Sequence, residues 1–494
     1  MANYLMFQGT SSHVGKSILT AALCRIFFRE GLKVAPFKAQ NMALNSFVTA
    51  DGLEMGRAQV AQAEAANIPP QVEMNPVLLK PTGNQTSQVI INGKPVGVMS
   101  AAEYHKNFSL KAFDAVKDAL EKLSAEFEIL VIEGAGSPAE VNLKSHDIVN
   151  MRVAKYLNAP VILVADIDRG GALASIVGTL ELLDEDEKNL VKGIIINKFR
   201  GDVNLFLPAV EFLENKTKKP VLGIIPYIEK IGIDDEDSVS LDDKISKNAE
   251  IKIAVVRLNK ISNFTDFDSL AGEADVSLIY AKTPDELDGA DLIILPGSKN
   301  TSEDLIFLRE NNFAEKILSL AKKNIPVIGI CGGFQMLGEK IFDPLQTESN
   351  FSELDGLKLL PLDTTFTSEK LTKQIILPEM DFDFLDGHIH AKNIRGYEIH
   401  SGITKKNHFA LRITHYALKN VFGTYIHGIF DNDEFRRNVL NLIRAKKNLP
   451  PLEVTRNASA EKQKNYDRLA EIVRENLNMT LLKKILPGDL ANGN

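Results

Sequence analysis

The stretch GTSSHVGKS, residues Gly9 to Ser17, follows directly on the apolar run YLMF and precedes the amphipathic segment SILTAALCRIFF. A strand, a glycine-bounded loop and a helix in that order make a phosphate site. The glycines let backbone N–H groups turn inward, and the helix N-terminus adds its positive end. Gly9, Thr10, Gly15, Lys16 and Ser17 are therefore expected to hold ATP, with Lys16 on the β/γ-phosphates and Ser17 on Mg2+. The loop has one residue more between its glycines than the usual G-x-x-x-x-G-K-[ST] pattern.

Working outward, short apolar runs alternate with helical patterns: KVAPF, EILVIE, PVILVAD, GIIINK and VLGIIP. This is the rhythm of a parallel sheet covered by helices. An acidic stretch interrupts it, and the rhythm resumes with IKIAVVRL, DVSLIYA, DLIILPGS and PVIGICGG. The fold class is α/β with two domains, and the boundaries are read as 1–228 for a P-loop domain, 229–250 for an acidic linker, 251–448 for a second α/β domain and 449–494 for a helical tail. The tail is expected to serve packing or oligomerisation, which leaves a homo-oligomer open.

The 494 residues are 44% hydrophobic, enough for two cores, and carry a net charge of -8, which argues against a nucleic-acid partner. No run reaches the ~18 apolar residues of a membrane span, so a cytoplasmic protein with no membrane partner is expected. Only Cys24 and Cys331 are present, which excludes a disulfide framework. Cys24 falls inside the helix after the phosphate loop and reads as a small buried residue.

A Mg2+–ATP site needs a carboxylate from a neighbouring strand end. Glu133 in EILVIEGAG is the candidate, with Asp51 and Glu54 in VTADGLE as further ones. In the second half, VIGICGGFQ sets Cys331 between an apolar strand and a helix, the position of a nucleophile held out of a sheet. Its base is read as His427 in TYIHGIF, with His400 in YEIHSG as the rival.

The loop spacing, Lys38 in APFKAQN and the EGAG turn resemble the dethiobiotin synthetase branch of P-loop proteins, which activates a carboxyl group for attack by nitrogen. The second half resembles a class I glutamine amidotransferase. That likeness implies a thioester on Cys331, His427 as base, Gly297 and Gly332 as oxyanion donors and Gln335 as a glutamine contact. Most of that class carry a glutamate two residues after the histidine, where this chain has Ile429; a solitary Cys331–His427 pair is expected to hydrolyse glutamine slowly until the synthetase half is loaded.

The phrases KAQNMALNSFVTADGLEMGRAQ, MNPVLLKPTGNQTSQVIINGK, EGAGSPAEVNL, DIVNM, VADIDRGG and NKFRGD resemble the cobyric acid synthase family along nearly the whole chain. The resemblance implies ATP- and glutamine-dependent amidation of the b, d, e and g carboxylates of an adenosylated corrinoid, adenosylcobyrinic acid a,c-diamide, through acyl phosphates. Lys38 and Asn197 are then candidates at ATP, Asn197 reading the base, while Asp147 and Arg169 are candidates at the corrinoid or acyl phosphate. The alternatives are a cobyrinic acid a,c-diamide synthase, or a regulatory P-loop ATPase with an inactive glutaminase half.

Overall fold

The computed structural model describes residues 2–83, 85–229, 231–233, 249–348, 350–406, 412–454 and 456–486. Most of the acidic linker lies outside these residues. The chain divides into two compact units, one of residues 1–43, 55–233 and 462–494, the other of residues 44–54 and 234–461.

The first unit is built on a parallel sheet whose order runs Val221–Pro226, Val191–Phe199, Val161–Asp166, Asn3–Gly9, Ile129–Glu133, Val34–Phe37. These are the six apolar runs expected from the sequence. They are apolar at nearly every position because helices cover both faces, so alternation would bury polar groups. Asn3–Gly9 sits in the middle and pairs Phe7 with Glu133, which delivers the end of Ile129–Glu133 beside the phosphate loop. A second sheet in this unit, of Gln40–Met42, Val77–Gly83, Thr86–Ile91 and Lys94–Ser100, was not anticipated.

The tail returns to this first unit. Tyr466, Leu469 and Val473 are buried, Arg25 pairs with Asp467 at 2.8 Å, and the Asn478 N–H donates to Leu222 at 2.7 Å. The tail helix thus covers the side of Lys16–Arg29 that carries Arg25, and the residues after it close over the edge strand.

The second unit holds another sheet, ordered Val276–Ala281, Ile251–Val256, Leu292–Leu295, Val327–Ile330, Val421–Thr424, His415–Leu418. All its pairings are parallel except the last. The loops after four of these strands carry Asp266, Gly297, Cys331 and His427, because parallel strands gather their C-terminal ends at one edge. A long hairpin, Leu362–Phe384 with Gly387–Lys406, completes the unit. Residues 44–54 also belong here: Asn45 accepts from the Phe264 N–H at 3.2 Å, the Ser46 N–H donates to Asn263 at 2.9 Å, and the Tyr397 hydroxyl donates to the Ser46 carbonyl at 3.0 Å.

Candidate active sites

In the first unit the phosphate loop closes on itself. Lys16 Nζ donates to the Ser11 carbonyl at 3.1 Å and to the Gly136 carbonyl at 3.2 Å, the latter from the EGAG turn. Gly15 adopts φ +97°, a left-handed conformation that favours glycine, and a Cβ there would lie 2.1 Å from Asn197 Nδ2. Asn197 is engaged with the loop backbone, donating to the Val14 carbonyl at 2.8 Å. Its amide thus supports the loop wall. The Thr10 N–H donates to Val164 at 2.9 Å, tying the loop to the next strand.

Glu133 is the hub. Its Oε1 accepts from Ser17 Oγ and from Lys38 Nζ, each at 2.9 Å, and its Oε2 accepts from Gln62 at 2.6 Å. The carboxylate is 1% exposed, so these donors compensate its burial. Gln62 is a site residue the sequence reading missed; it lies on the helix Arg57–Ala65 in a run of alanines and glutamines with no local signature.

The structure does not bring Asp147 or Arg169 to this hub, and Asp51 and Glu54 belong to the second unit. Asp51 accepts from the Thr49 hydroxyl at 2.5 Å at the exposed turn of a hairpin in the second unit, where Glu54 pairs with Lys370 at 2.5 Å. Asp147 caps the backbone N–H groups of Val149 and Asn150 at 2.8 and 3.0 Å, which is a turn role. The exposed Arg169 side chain stands 3.9 Å from Asp166. Among the described residues no cluster of three or more His, Cys, Asp or Glu is arranged to hold a metal. The donors that fit Mg2+ are Ser17 Oγ and Glu133, hard oxygens 2.9 Å apart beside the phosphate loop.

In the second unit Cys331 follows Val327–Ile330 and begins the short helix Gly332–Met336, with φ +52° and ψ -107°. Such strain costs about 1–3 kcal/mol in a residue with a side chain and is retained where the surroundings enforce it. They do: the Cys331 N–H donates to the Thr424 carbonyl at 2.8 Å, and the thiol points to the Ile399 carbonyl at 3.7 Å. Val421–Thr424, the neighbouring strand, leads to His427, so strand pairing alone brings the two residues to one edge.

His427 is 1% exposed and confined on several sides. Tyr397 stacks on its ring at 5.3 Å, and Gly297 approaches so closely that a Cβ there would lie 3.2 Å from the imidazole Cε1. Nδ1 lies 2.7 Å from Asp266 Oδ2, while the Gly428 N–H donates to Asp266 Oδ1 at 2.9 Å. Among the described residues, the buried Nε2 has no hydrogen-bond partner. Burial opposes charge on this ring, but Asp266 and Cys331 outweigh it and push its pKa up to about 10.

Asp266 was missed because NFTDFD offers two aspartates with no local reason to prefer either. Its only signal was its place in the loop system after IKIAVVRL, at the C-terminal edge of a parallel sheet. Gln335 is held on both sides of its amide, accepting from Thr301 Oγ1 at 2.8 Å and donating to the Tyr425 hydroxyl at 3.1 Å. Gly332 occupies the first helical position, where backbone N–H groups lack intrahelical partners. His400, the rival base, accepts no such position: it stacks on Tyr425 at 3.6 Å, and its Nδ1 faces the Gly402 carbonyl at 2.7 Å. Burial lowers its pKa. Cys24 is fully buried, and burial pushes its thiol far up, so it offers no thiolate.

The two halves match different family models. Residues 5–240 match the CobQ/CobB/MinD/ParA nucleotide binding domain, and residues 252–435 match the CobB/CobQ-like glutamine amidotransferase domain. A cobyric acid synthase of Carboxydothermus hydrogenoformans is 52% identical over 499 residues, covering 98% of this chain and 100% of that protein. The chain belongs to the cobyric acid synthase family. Cobyric acid synthases of Moorella thermoacetica, 49% identical with 98% of each chain covered, and a probable one of Methanothermobacter thermautotrophicus, 47% identical with 99% of this chain and 100% of that protein covered, are similar along the same length. A cobyric acid synthase is an ATP-dependent, glutamine-hydrolysing amidoligase of cobalamin biosynthesis, so the nucleotide and glutaminase halves expected from the sequence are those of an enzyme. No described helix is long and apolar enough to cross a membrane.

Proposed function

We propose that the chain amidates the b, d, e and g carboxylates of adenosylcobyrinic acid a,c-diamide to give adenosylcobyric acid. A carboxylate is a poor electrophile, so the γ-phosphoryl group of ATP is first transferred to it. The phosphate loop, with Lys16, binds and orients the phosphates, and Ser17 and Glu133 would hold Mg2+, which would supply charge neutralisation at the phosphate oxygens. Lys38 and Gln62 hold the Glu133 carboxylate at that position.

Nitrogen comes from glutamine. The Cys331 thiolate attacks the side-chain amide carbon, Gly332 and Gly297 line the place where the oxyanion forms, His427 gives its proton to the departing ammonia, and water then cleaves the thioester. Ammonia attacks the acyl phosphate and displaces phosphate. The observation carrying this reading is Cys331 held at φ +52° at the start of a helix, with a buried His427 just beyond the adjoining strand.

The test is mass spectrometry of corrinoid products after incubation with ATP and glutamine. Conversion of the b, d, e and g carboxyls of the a,c-diamide is expected. Conversion only of the a and c carboxyls of cobyrinic acid would overturn the proposal in favour of the diamide synthase reaction.

A further inference from the structure

We propose that Asp266 is the positioning carboxylate of the glutaminase site, holding His427 in the orientation that turns Nε2 toward Cys331 and stabilising the imidazolium formed when Nε2 takes the Cys331 proton. The proposal rests on the reading of Cys331 as nucleophile and adds to it the acid that Ile429 cannot provide. Ile429 is fully buried in the apolar core, so a carboxylate could not be tolerated there without a partner.

The geometry is that of a held group. One Asp266 oxygen takes Nδ1 at 2.7 Å and the other takes the Gly428 N–H at 2.9 Å, so both the ring and the backbone beside it are fixed by one carboxylate. Asp266 and His427 are 3% and 1% exposed, so water does not compete for the pair. The carboxylate is itself anchored. It sits on the turn Phe264–Phe267, whose two phenylalanines are buried, and its N–H donates to the Asn263 carbonyl at 3.0 Å. Asn45 and Ser46 fasten Phe264 and Asn263 from the other side at 3.2 and 2.9 Å.

With Nδ1–H given to Asp266, Nε2 is the ring atom that exchanges a proton with Cys331; among the described residues it has no other hydrogen-bond partner. The proton balance follows. The Cys331 S–H proton moves to Nε2, the thiolate forms the C–S bond, the amide C–N bond breaks, and the proton leaves with ammonia. Asp266 keeps its hydrogen bond to Nδ1 throughout and stabilises the imidazolium, as an orienting aspartate does in serine hydrolases.

The experiment uses the full chain with glutamine, or with ammonium salt as nitrogen source. Asp266→Asn should lower kcat for glutamate release by on the order of 10²- to 10⁴-fold with little change in KM, leave ammonium-driven amidation at the wild-type rate, and be partly rescued in Asp266→Glu. A second readout is alkylation of Cys331 by iodoacetamide against pH. The groups facing His427 are Asp266, Cys331 and Tyr397, whose hydroxyl is engaged by Ser46, with Asp431 near Gly428 and bonded to Ser269. Asp266 is the carboxylate on the imidazole, so its loss should destabilise the imidazolium and move thiolate formation to higher pH.

Wild-type kcat and an unshifted alkylation profile in Asp266→Asn would overturn the positioning role alone, provided that Cys331→Ser has lost glutamine hydrolysis. Retained hydrolysis in Cys331→Ser would overturn the nucleophile reading and this proposal with it. Should Asp266→Asn melt well below the wild type, proton NMR of the unsubstituted chain decides: a strongly deshielded Nδ1–H resonance, lost in His427→Gln, is expected, and its absence overturns the pairing.

Discussion

At Gly297 the imidazole leaves no room for a side chain. A Cβ would stand 3.2 Å from the His427 Cε1 and 3.0 Å from the Ser262 carbonyl, so Gly297→Ala must displace the ring, the loop or both by a few tenths of an ångström. Catalytic geometry is sensitive at that scale, and a loss of about 10- to 100-fold in glutamate release is expected, with ammonium-driven amidation unchanged. Asp304 sits beneath the same loop, its carboxylate accepting from Ser298 Oγ at 2.6 Å and from the Lys260 N–H at 3.2 Å. Burial nevertheless pushes its pKa up to about 6. Between its ordinary value near 4 and about 6 the folded chain binds more protons than the unfolded one, so stability falls as pH rises through that window. Asp304→Asn removes this slope; its melting temperature relative to wild type should be more favourable at pH 7 than at pH 4, and an equal difference at both would contradict the reading.

Among the elements, the phosphate loop depends on a neighbouring strand for its shape. Gly15 combines φ +97° with contact to the Asn197 amide, so Gly15→Ala brings both backbone strain and a clash into one position. Nucleotide binding by calorimetry should be lost, and amidation should fall with glutamine and with ammonium alike. The segment of residues 44–54 shows the reverse relation. Its sequence neighbours lie in the first unit, yet Phe47 packs on Tyr397 at 4.9 Å and Asn45 holds the turn that carries Asp266. Nothing in the spelling ALNSFVTADGLE distinguishes such a strap from an ordinary loop, which is why Asp51 and Glu54 were weighed as metal ligands.

Over the whole molecule, the two sites are expected to divide by nitrogen source. Cys331→Ser should abolish glutamine-dependent synthesis while sparing synthesis from ammonium, whereas Lys16→Ala should suppress both, because either nitrogen source needs an activated carboxylate. Ammonium-driven turnover at the wild-type rate in Lys16→Ala would break this division. The expectation of a glutaminase idle until the other site is loaded drew its motive from Ile429; with His427 already fixed by Asp266, glutamate release with and without ATP and corrinoid should differ by less than about 5-fold, the lower end of coupled sites.

Local chemistry is what the linear chain can spell. Apolar runs between glycine-rich turns marked the ten strands read from the sequence. GTSSHVGKS and GICGG each combine a strand, a special backbone and a helix within a few residues, so Lys16, Ser17 and Cys331 were legible without a partner. Glu133 ends a strand and His427 lies three residues beyond one, so both could be named, and strand order set where each stands. The tertiary structure alone decided what meets across sequence distance. Gln62 reaches Glu133 from a helix, Asp266 reaches His427 across 161 positions, and the tail closes over a sheet edge far from it in the chain. A buried charge requires a partner but not a neighbour in sequence; the fold, by gathering loops at one edge of each sheet, selects which carboxylate or amide that partner is.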